Sequence, residues 1–215
     1  MKKIVLSLLA VVVFVSLSFA KGAEVNVRAG LDFSGKAHLS SDYDMLFDGT
    51  DHIIGKNVTD DTNTNNGFSV SGEFLYKLGE KFKLGAGLEY LFPRKISEGL
   101  SVIKFAYIPV YITAQINPIS KLNGIFAKLN LGYVASFDAG NIEKQESYKS
   151  KSGGIYYGIA AGYEFPFGLI LDLSYSSYSS GAKFEYNEID TVGWVKNDFT
   201  YTKIGLSAGY KFKLF

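Results

Sequence analysis

His38 and His52 are the only imidazoles in the chain, and cysteine is absent. Nucleophilic acyl transfer needs a serine beside a histidine base, with an acid or amide to orient the ring. Ser34, Ser40 and Ser41 flank His38, and Asp42 follows. Both histidines fall in one polar stretch with no pattern that would hold a serine against them. Each is therefore expected to be an exposed loop residue, and no enzymatic activity is expected. Without cysteine there is no thiolate nucleophile, thiolate metal site or disulfide. Asp61-Thr62-Asn63-Thr64-Asn65-Asn66-Gly67 resembles the run of oxygen ligands in a calcium loop. Its glycine comes one position late, and the twelfth position is Gly72. The run is expected to be a solvated loop, and neither metal nor cofactor is expected.

The charges that recur at every second position carry more information. Arg28, Lys83, Lys128, Lys203 and Lys211, with Asp32, Glu73, Glu89, Glu164 and Asp172, each alternate with apolar neighbours. A period of two marks a strand with two unlike faces. In the first strand Val25, Val27, Ala29, Leu31 and Phe33 point one way, and Glu24, Asn26, Arg28, Asp32 and Ser34 the other. Eight segments read this way, at about 24–35, 67–79, 81–92, 102–116, 125–138, 154–165, 169–179 and 199–214. In the fifth, Ala127, Leu129, Leu131, Tyr133 and Phe137 are expected to face outward. Pro109, inside the fourth, lacks a ladder donor and predicts a bulge. Gly79-Glu80 and Pro166-Phe167-Gly168 read as tight hairpins. Connections after the second, fourth and sixth strands are short, and the others are longer. The longest is predicted at 36–66. The last, 182–198, holds aromatic and β-branched residues that can extend its flanking strands.

The N-terminus suggests where these strands fold. Lys2 and Lys3 precede an apolar run from Ile4 to Phe19, and Ser18-Phe19-Ala20 resembles a cleavage site. Residues 1–20 are predicted to be a signal peptide, with a single barrel domain over 21–215. No other stretch has about 18 consecutive apolar residues, as a membrane helix would need. Exported, alternating strands predict an all-β, eight-stranded antiparallel transmembrane up-and-down β-barrel in the outer membrane. Its short turns and both termini are expected in the periplasm. Closure is required because unpaired backbone groups at a sheet edge are costly in hydrocarbon. The 15 Tyr and 17 Phe, against a single Trp, suit the two membrane interfaces.

An eight-stranded barrel is narrow and filled by side chains. The ten inward charges are therefore expected to pair, because an unpaired buried charge is heavily penalised. The favoured expectation is a structural plug. Gly85, Gly87, Gly132, Gly158, Gly162, Gly205 and Gly209 are expected to leave some room, which keeps a narrow ion path as the alternative. A formal net charge of +1 argues against a nucleic-acid surface. The partners expected are outer-membrane lipids, the insertion machinery and a surface ligand held by external loops.

The closing segment Gly205-Leu206-Ser207-Ala208-Gly209-Tyr210-Lys211-Phe212-Lys213-Leu214-Phe215 alternates to an aromatic end. On this segment, and on the start Val27-Arg28-Ala29-Gly30, the chain resembles the small eight-stranded outer-membrane barrels of the OmpA, OmpX and OmpW type. The resemblance implies that Tyr210, Phe212 and Phe215 form the signal read by the barrel assembly machinery. Phe215 is out of phase with Tyr210, Phe212 and Leu214, so either Phe212 serves as the terminal aromatic or the last residues twist. The function expected is structural or adhesin-like, through loops 36–66 and 182–198. A channel or conduit for ions or small hydrophobic molecules is the alternative, and a lipid-modifying enzyme comes behind it.

Overall fold

The computed structural model describes residues 22–33, 35–47, 51–58, 62–98, 101–118, 124–141, 150–188 and 191–214. The predicted signal peptide and Phe215 lie outside them. Eleven strands follow in order: β1 Ala23–Asp32, β2 Lys36–Phe47, β3 Asp51–Val58, β4 Thr62–Asn63, β5 Gly67–Lys77, β6 Phe82–Glu98, β7 Ser101–Ile116, β8 Ile125–Asn141, β9 Ser150–Glu164, β10 Leu169–Glu188 and β11 Thr191–Leu214. The wall runs β1-β5-β6-β7-β8-β9-β10-β11, and β11 pairs back onto β1. Every one of these pairings is antiparallel. The result is a closed eight-stranded barrel.

The three remaining strands lengthen two of the eight. Asp32 lies opposite Gly205 and Lys36 opposite Thr202, so one strand advances four residues while the other advances three. That single extra residue is a β-bulge, past which β2 continues β1 along β11. On the other side Gly67 faces Asp32 and Asn63 faces Lys36 in one unbroken register, so β4 continues β5. β3 then pairs with β2 out to Phe47 opposite Asp51. The stretch 36–66, read from sequence as a loop, is instead mostly the upper half of the first hairpin. The stretch 182–198 is likewise paired strand, with Glu188 opposite Thr191. Above the membrane both faces of a strand meet water, so the alternation that marks it within lipid is lost.

β11 has 24 residues, or about 80 Å of chain at ~3.3 Å per residue. A lipid-facing band about 25 Å tall, crossed at a tilt, uses roughly half of that length. The exposed outward side chains mark the band. Tyr76, Phe82, Phe167, Tyr210 and Phe212 ring the end that carries the short turns and both described chain ends. Phe33, Phe68, Phe92, Tyr133, Tyr157 and Tyr175 ring the other. Val27, Leu84, Ile112, Leu129, Ile159, Leu173 and Leu206 lie between the two rings. Gly79 and Gly168, at φ of 143° and 99°, occupy the left-handed region that the tight turns demand.

The ladders between neighbouring strands slip in three places, two of them beside a proline; the third lies between Tyr178 and Ser180 on β10, against β9. The β7–β8 register shifts between Ile108 and Pro109, where the bulge was expected. The β6–β7 register shifts between Leu91 and Arg94, across Pro93. Past the first slip Phe137 lies opposite Tyr107 and stacks on it at 5.0 Å between ring centroids. Phe137 therefore packs into the interior, which corrects its expected outward direction. Past the second slip Arg94 is buried.

Candidate functional site

The barrel interior is built from the inward positions of all eight strands, and its charges fall into three tiers. At the short-turn end, Lys83 bridges Glu24 at 2.7 Å and Glu164 at 2.9 Å. Lys211 also pairs with Glu164, and half-exposed Lys77 reaches Glu24 at 3.0 Å. In the middle tier Glu73 accepts from Arg28, from Lys128 at 2.7 Å and from the Tyr111 hydroxyl at 3.1 Å. Arg28 also pairs with Asp172 at 3.1 Å. In the upper tier Lys203 joins Asp32 at 2.9 Å to Glu89 at 2.5 Å. Arg94 completes this tier on Asp32.

All ten charges singled out from the sequence thus enter ion pairs, spread over these three tiers. Glu24 and Arg94 were not in that set. Glu24 has the inward parity of β1 and was legible. Arg94 lies beyond Pro93, where the parity changes, so only the proline could have signalled it. With these two, Arg28, Lys83, Arg94, Lys128, Lys203 and Lys211 balance Glu24, Asp32, Glu73, Glu89, Glu164 and Asp172 one for one.

Towards the long hairpins an aromatic layer closes the lumen above the charges. Phe105, Tyr107, Tyr111, Tyr156, Tyr178, Phe199 and Tyr201 form one buried cluster with Leu91 and Val134. Ring centroids are 5.0 Å apart for Tyr156 and Tyr178, and 5.3 Å for Tyr107 and Tyr178. The tyrosines join the two layers. Tyr178 donates to Glu89 at 3.0 Å, and Tyr156 donates to the same carboxylate at 3.4 Å. The Lys203 ammonium and the Arg94 guanidinium each lie 5.6 Å from a tyrosine ring centroid, those of Tyr178 and Tyr201. Such contacts let an apolar layer rest on a charged one without stranding either.

The inward glycines do not leave the room expected of them. A Cβ on Gly87 would lie 2.6 Å from the Tyr111 ring, on Gly162 2.7 Å from Phe126, and on Gly209 2.5 Å from Arg28 Cγ. Their space is taken by large neighbours. The cavity that remains among Arg28, Glu73, Asn130, Asp172, Lys203 and Ser207 holds about 40 Å³. That is room for water and little else.

The other sequence candidates are not brought together as sites. His38 lies on β2 opposite Thr200, and His52 on β3 opposite Leu46. Among the described residues no three His, Asp or Glu side chains are placed to hold a metal ion. The calcium-like run was expected to be a loop. Instead Thr62–Asn63 pairs as strand, and Thr64 Oγ1 accepts from the Gly35 amide at 3.1 Å. Asp61 lies outside the described residues. Tyr210 and Phe212 face outward in the lower aromatic ring, 46% and 50% exposed.

Comparisons with known proteins agree with this architecture. The sequence pattern of the family described as outer membrane protein beta-barrel domain matches residues 6–212. Among solved structures, the outer membrane protein OprG from Pseudomonas aeruginosa gives a TM-score of 0.55 at 19% identity, covering 90% of this chain and 97% of that one. Ail, the attachment invasion locus protein of Yersinia pestis, gives 0.42 at 15% identity, covering 89% and 100%. The outer membrane protein AlkL, in lipid bilayers, gives 0.41 at 14% identity, covering 91% and 92%. No curated protein matches this chain in sequence.

Proposed function

Because the chain belongs to the outer membrane protein beta-barrel domain family, we propose that this outer-membrane barrel is a non-conducting anchor for a surface-interaction sheet. The short turns and both termini face the periplasm, and the long hairpins stand outside the cell. The observation that carries the reading is the neutral lumen: six cations on six carboxylates, capped by packed rings, with about 40 Å³ left open. A hydrated ion crossing it would have to break several buried pairs at once, each worth about 3–5 kcal/mol to disrupt. Strands that outrun the lipid band support the second half of the reading, since lipid anchoring alone does not need them. Tyr210, Phe212 and Phe215 serve as the assembly signal, with lipids and the insertion machinery as partners. The test is single-channel recording of the refolded barrel in a planar bilayer. Silence in wild type and in Glu73→Ala is expected, and discrete openings that change with the variant would overturn the reading.

A second reading, a conduit for small hydrophobic molecules, rests on the β5–β6 seam. That ladder ends at Ser69 opposite Leu91, and the register of β6 with β7 then shifts across Pro93. Arg94 closes the seam from inside through Asp32 and the Asn65 carbonyl. A side passage here would lead into the aromatic layer. Vesicle uptake of an uncharged aromatic solute that rises in Arg94→Ala would favour the conduit, and unchanged uptake would remove it.

A further inference from the structure

Four side chains that line the central cavity of the lumen carry a polar atom with no hydrogen-bond partner among the described residues. These atoms are Arg28 Nη2, Asn130 Oδ1, Ser207 Oγ and Asp172 Oδ2, the last keeping only its ion pair with Arg28 Nε at 3.1 Å. Arg28, Asn130 and Asp172 are more than nine-tenths buried, where an unmet donor or acceptor is costly. They come from different parts of the wall. Asp172 on β10 lies opposite Ser207 on β11, Arg28 stands on β1 and Asn130 on β8. The cavity is closed at both ends. Tyr111 and Tyr156, with ring centroids 5.2 Å apart, line it on the side of the aromatic layer. On the short-turn side Leu75, Phe126 and Ile170 each follow or precede an inward charge by two residues, and each is fully buried. Strand residues two apart share a face, so these three side chains point into the lumen below Glu73, Lys128 and Asp172.

The donors and acceptors decide what fits there. Asp32, Glu73, Glu89 and Asp172 line the cavity, and each already holds a cation, so no charge is left over for an ion to neutralise. A cation would face the unmet Arg28 N–H, and an anion would face the unmet oxygens of Asn130 and Asp172. Water both donates and accepts, so it suits all four groups, in either orientation of the Asn130 amide. The 40 Å³ of the cavity holds roughly two or three molecules at ~10–15 Å³ each. We propose that the middle tier is completed by a trapped water cluster that accepts from Arg28 and donates to Asn130 and Asp172, with the Ser207 hydroxyl in the same chain. The cluster braces the β10–β11 side of the lumen to β8, and the packed layers at both ends make its exchange slow. The inference rests on the plugged-lumen reading and names what fills the space the charges leave.

The test is solution NMR of the full barrel in detergent micelles, with the arginine and asparagine side chains isotope-labelled. Cross-relaxation from water to the Arg28 guanidinium and Asn130 amide protons is expected, with the sign of a long-lived contact and not of proton exchange. Ser207→Val places methyl groups where the hydroxyl meets the cavity and should abolish both signals, whereas Ser207→Ala should keep them. Heat-modifiable gel migration confirms that the variants fold. No water signal in the folded wild type, or signals unchanged in a folded Ser207→Val, would overturn the proposal. So would a shift of the Arg28 side-chain resonances when caesium bromide replaces sodium chloride, since that would put an ion in the site. If Ser207→Val does not fold, the wild-type signals and the salt exchange still decide. Conductance recorded on the same preparations tests the plug separately. Openings with the water signals intact would remove the plug alone, and a silent barrel without them would remove the water site alone.

Discussion

Arg94 on β6 reaches across the whole of β5 to pair with Asp32 on β1, a residue 62 positions earlier in the chain. Both side chains are almost fully buried, and Asp32 also holds Lys203 at 2.9 Å. Arg94→Met should therefore leave the upper tier one cation short and cost about 3–5 kcal/mol. Arg94→Met with Asp32→Asn restores the charge balance and should recover part of that loss. Urea unfolding in lipid vesicles, followed by tryptophan fluorescence, would measure both. Equal stability of the single variant and wild type would contradict a network held by charge balance.

Glycines facing the two sides of the wall should respond oppositely. A Cβ on Gly209 meets the Val27 carbonyl at 2.3 Å and Arg28 Cγ at 2.5 Å, whereas one on Gly72 meets nothing within 4 Å. Gly209→Ala should destabilise by about 1–3 kcal/mol through overpacking. Gly72→Ala should be neutral, or stabilising by about 0.4–1 kcal/mol through the unfolded chain. The same unfolding assay decides, and a reversed order would show that the lumen can give way where the packing says it cannot.

Phe137 offers a direct check on the bulge opposite Pro109. If it stacks on Tyr107, Phe137→Ala removes a ring contact worth ~0.5–1.5 kcal/mol beyond its buried area. Outward-facing Tyr157→Ala serves as the lipid-side control. Near-ultraviolet circular dichroism should lose aromatic signal in Phe137→Ala and keep it in the control. The opposite pattern would return Phe137 to the outer face.

The long first hairpin should be dispensable for the barrel. Ser40 and Val58 already lie opposite each other, so an Asn-Gly turn can replace residues 41–57 without strain. Insertion and heat-modifiable migration should survive, because the closing ladder of β1 with β11 and β5 is untouched. A shortened chain that fails to insert would mean that the hairpin helps build the wall.

The barrel was legible wherever lipid lies on one side of a strand and packed charge on the other. Val27, Arg28, Ala29, Gly30, Leu31 and Asp32 alternate strictly because each neighbour meets a different solvent. Legibility stopped where that contrast stopped. Ile53 and Ile54 sit side by side above the membrane, and no pattern of two survives there to mark β3. It stopped also where a proline moved the phase: Pro93 hid Arg94, and Pro109 turned Phe137 inward. The inner glycines misled for another reason. Sequence shows that Gly87 is small, and only the fold shows that Tyr111 fills the space it leaves.

Lys203 and Lys211 both belong to β11, the last strand. A sheet of the other seven wall strands alone would hold Arg28, Lys83, Arg94 and Lys128 against Glu24, Asp32, Glu73, Glu89, Glu164 and Asp172. Without β11 the lumen thus holds more carboxylates than cations, even with half-exposed Lys77 on Glu24, and Glu89 loses its only ion-pair partner among the described residues. The final strand neutralises the interior in the same movement that seals the wall against β1. Neutrality of the lumen is in this sense a signal of completion: a barrel stalled before its last strand is electrostatically marked as unfinished.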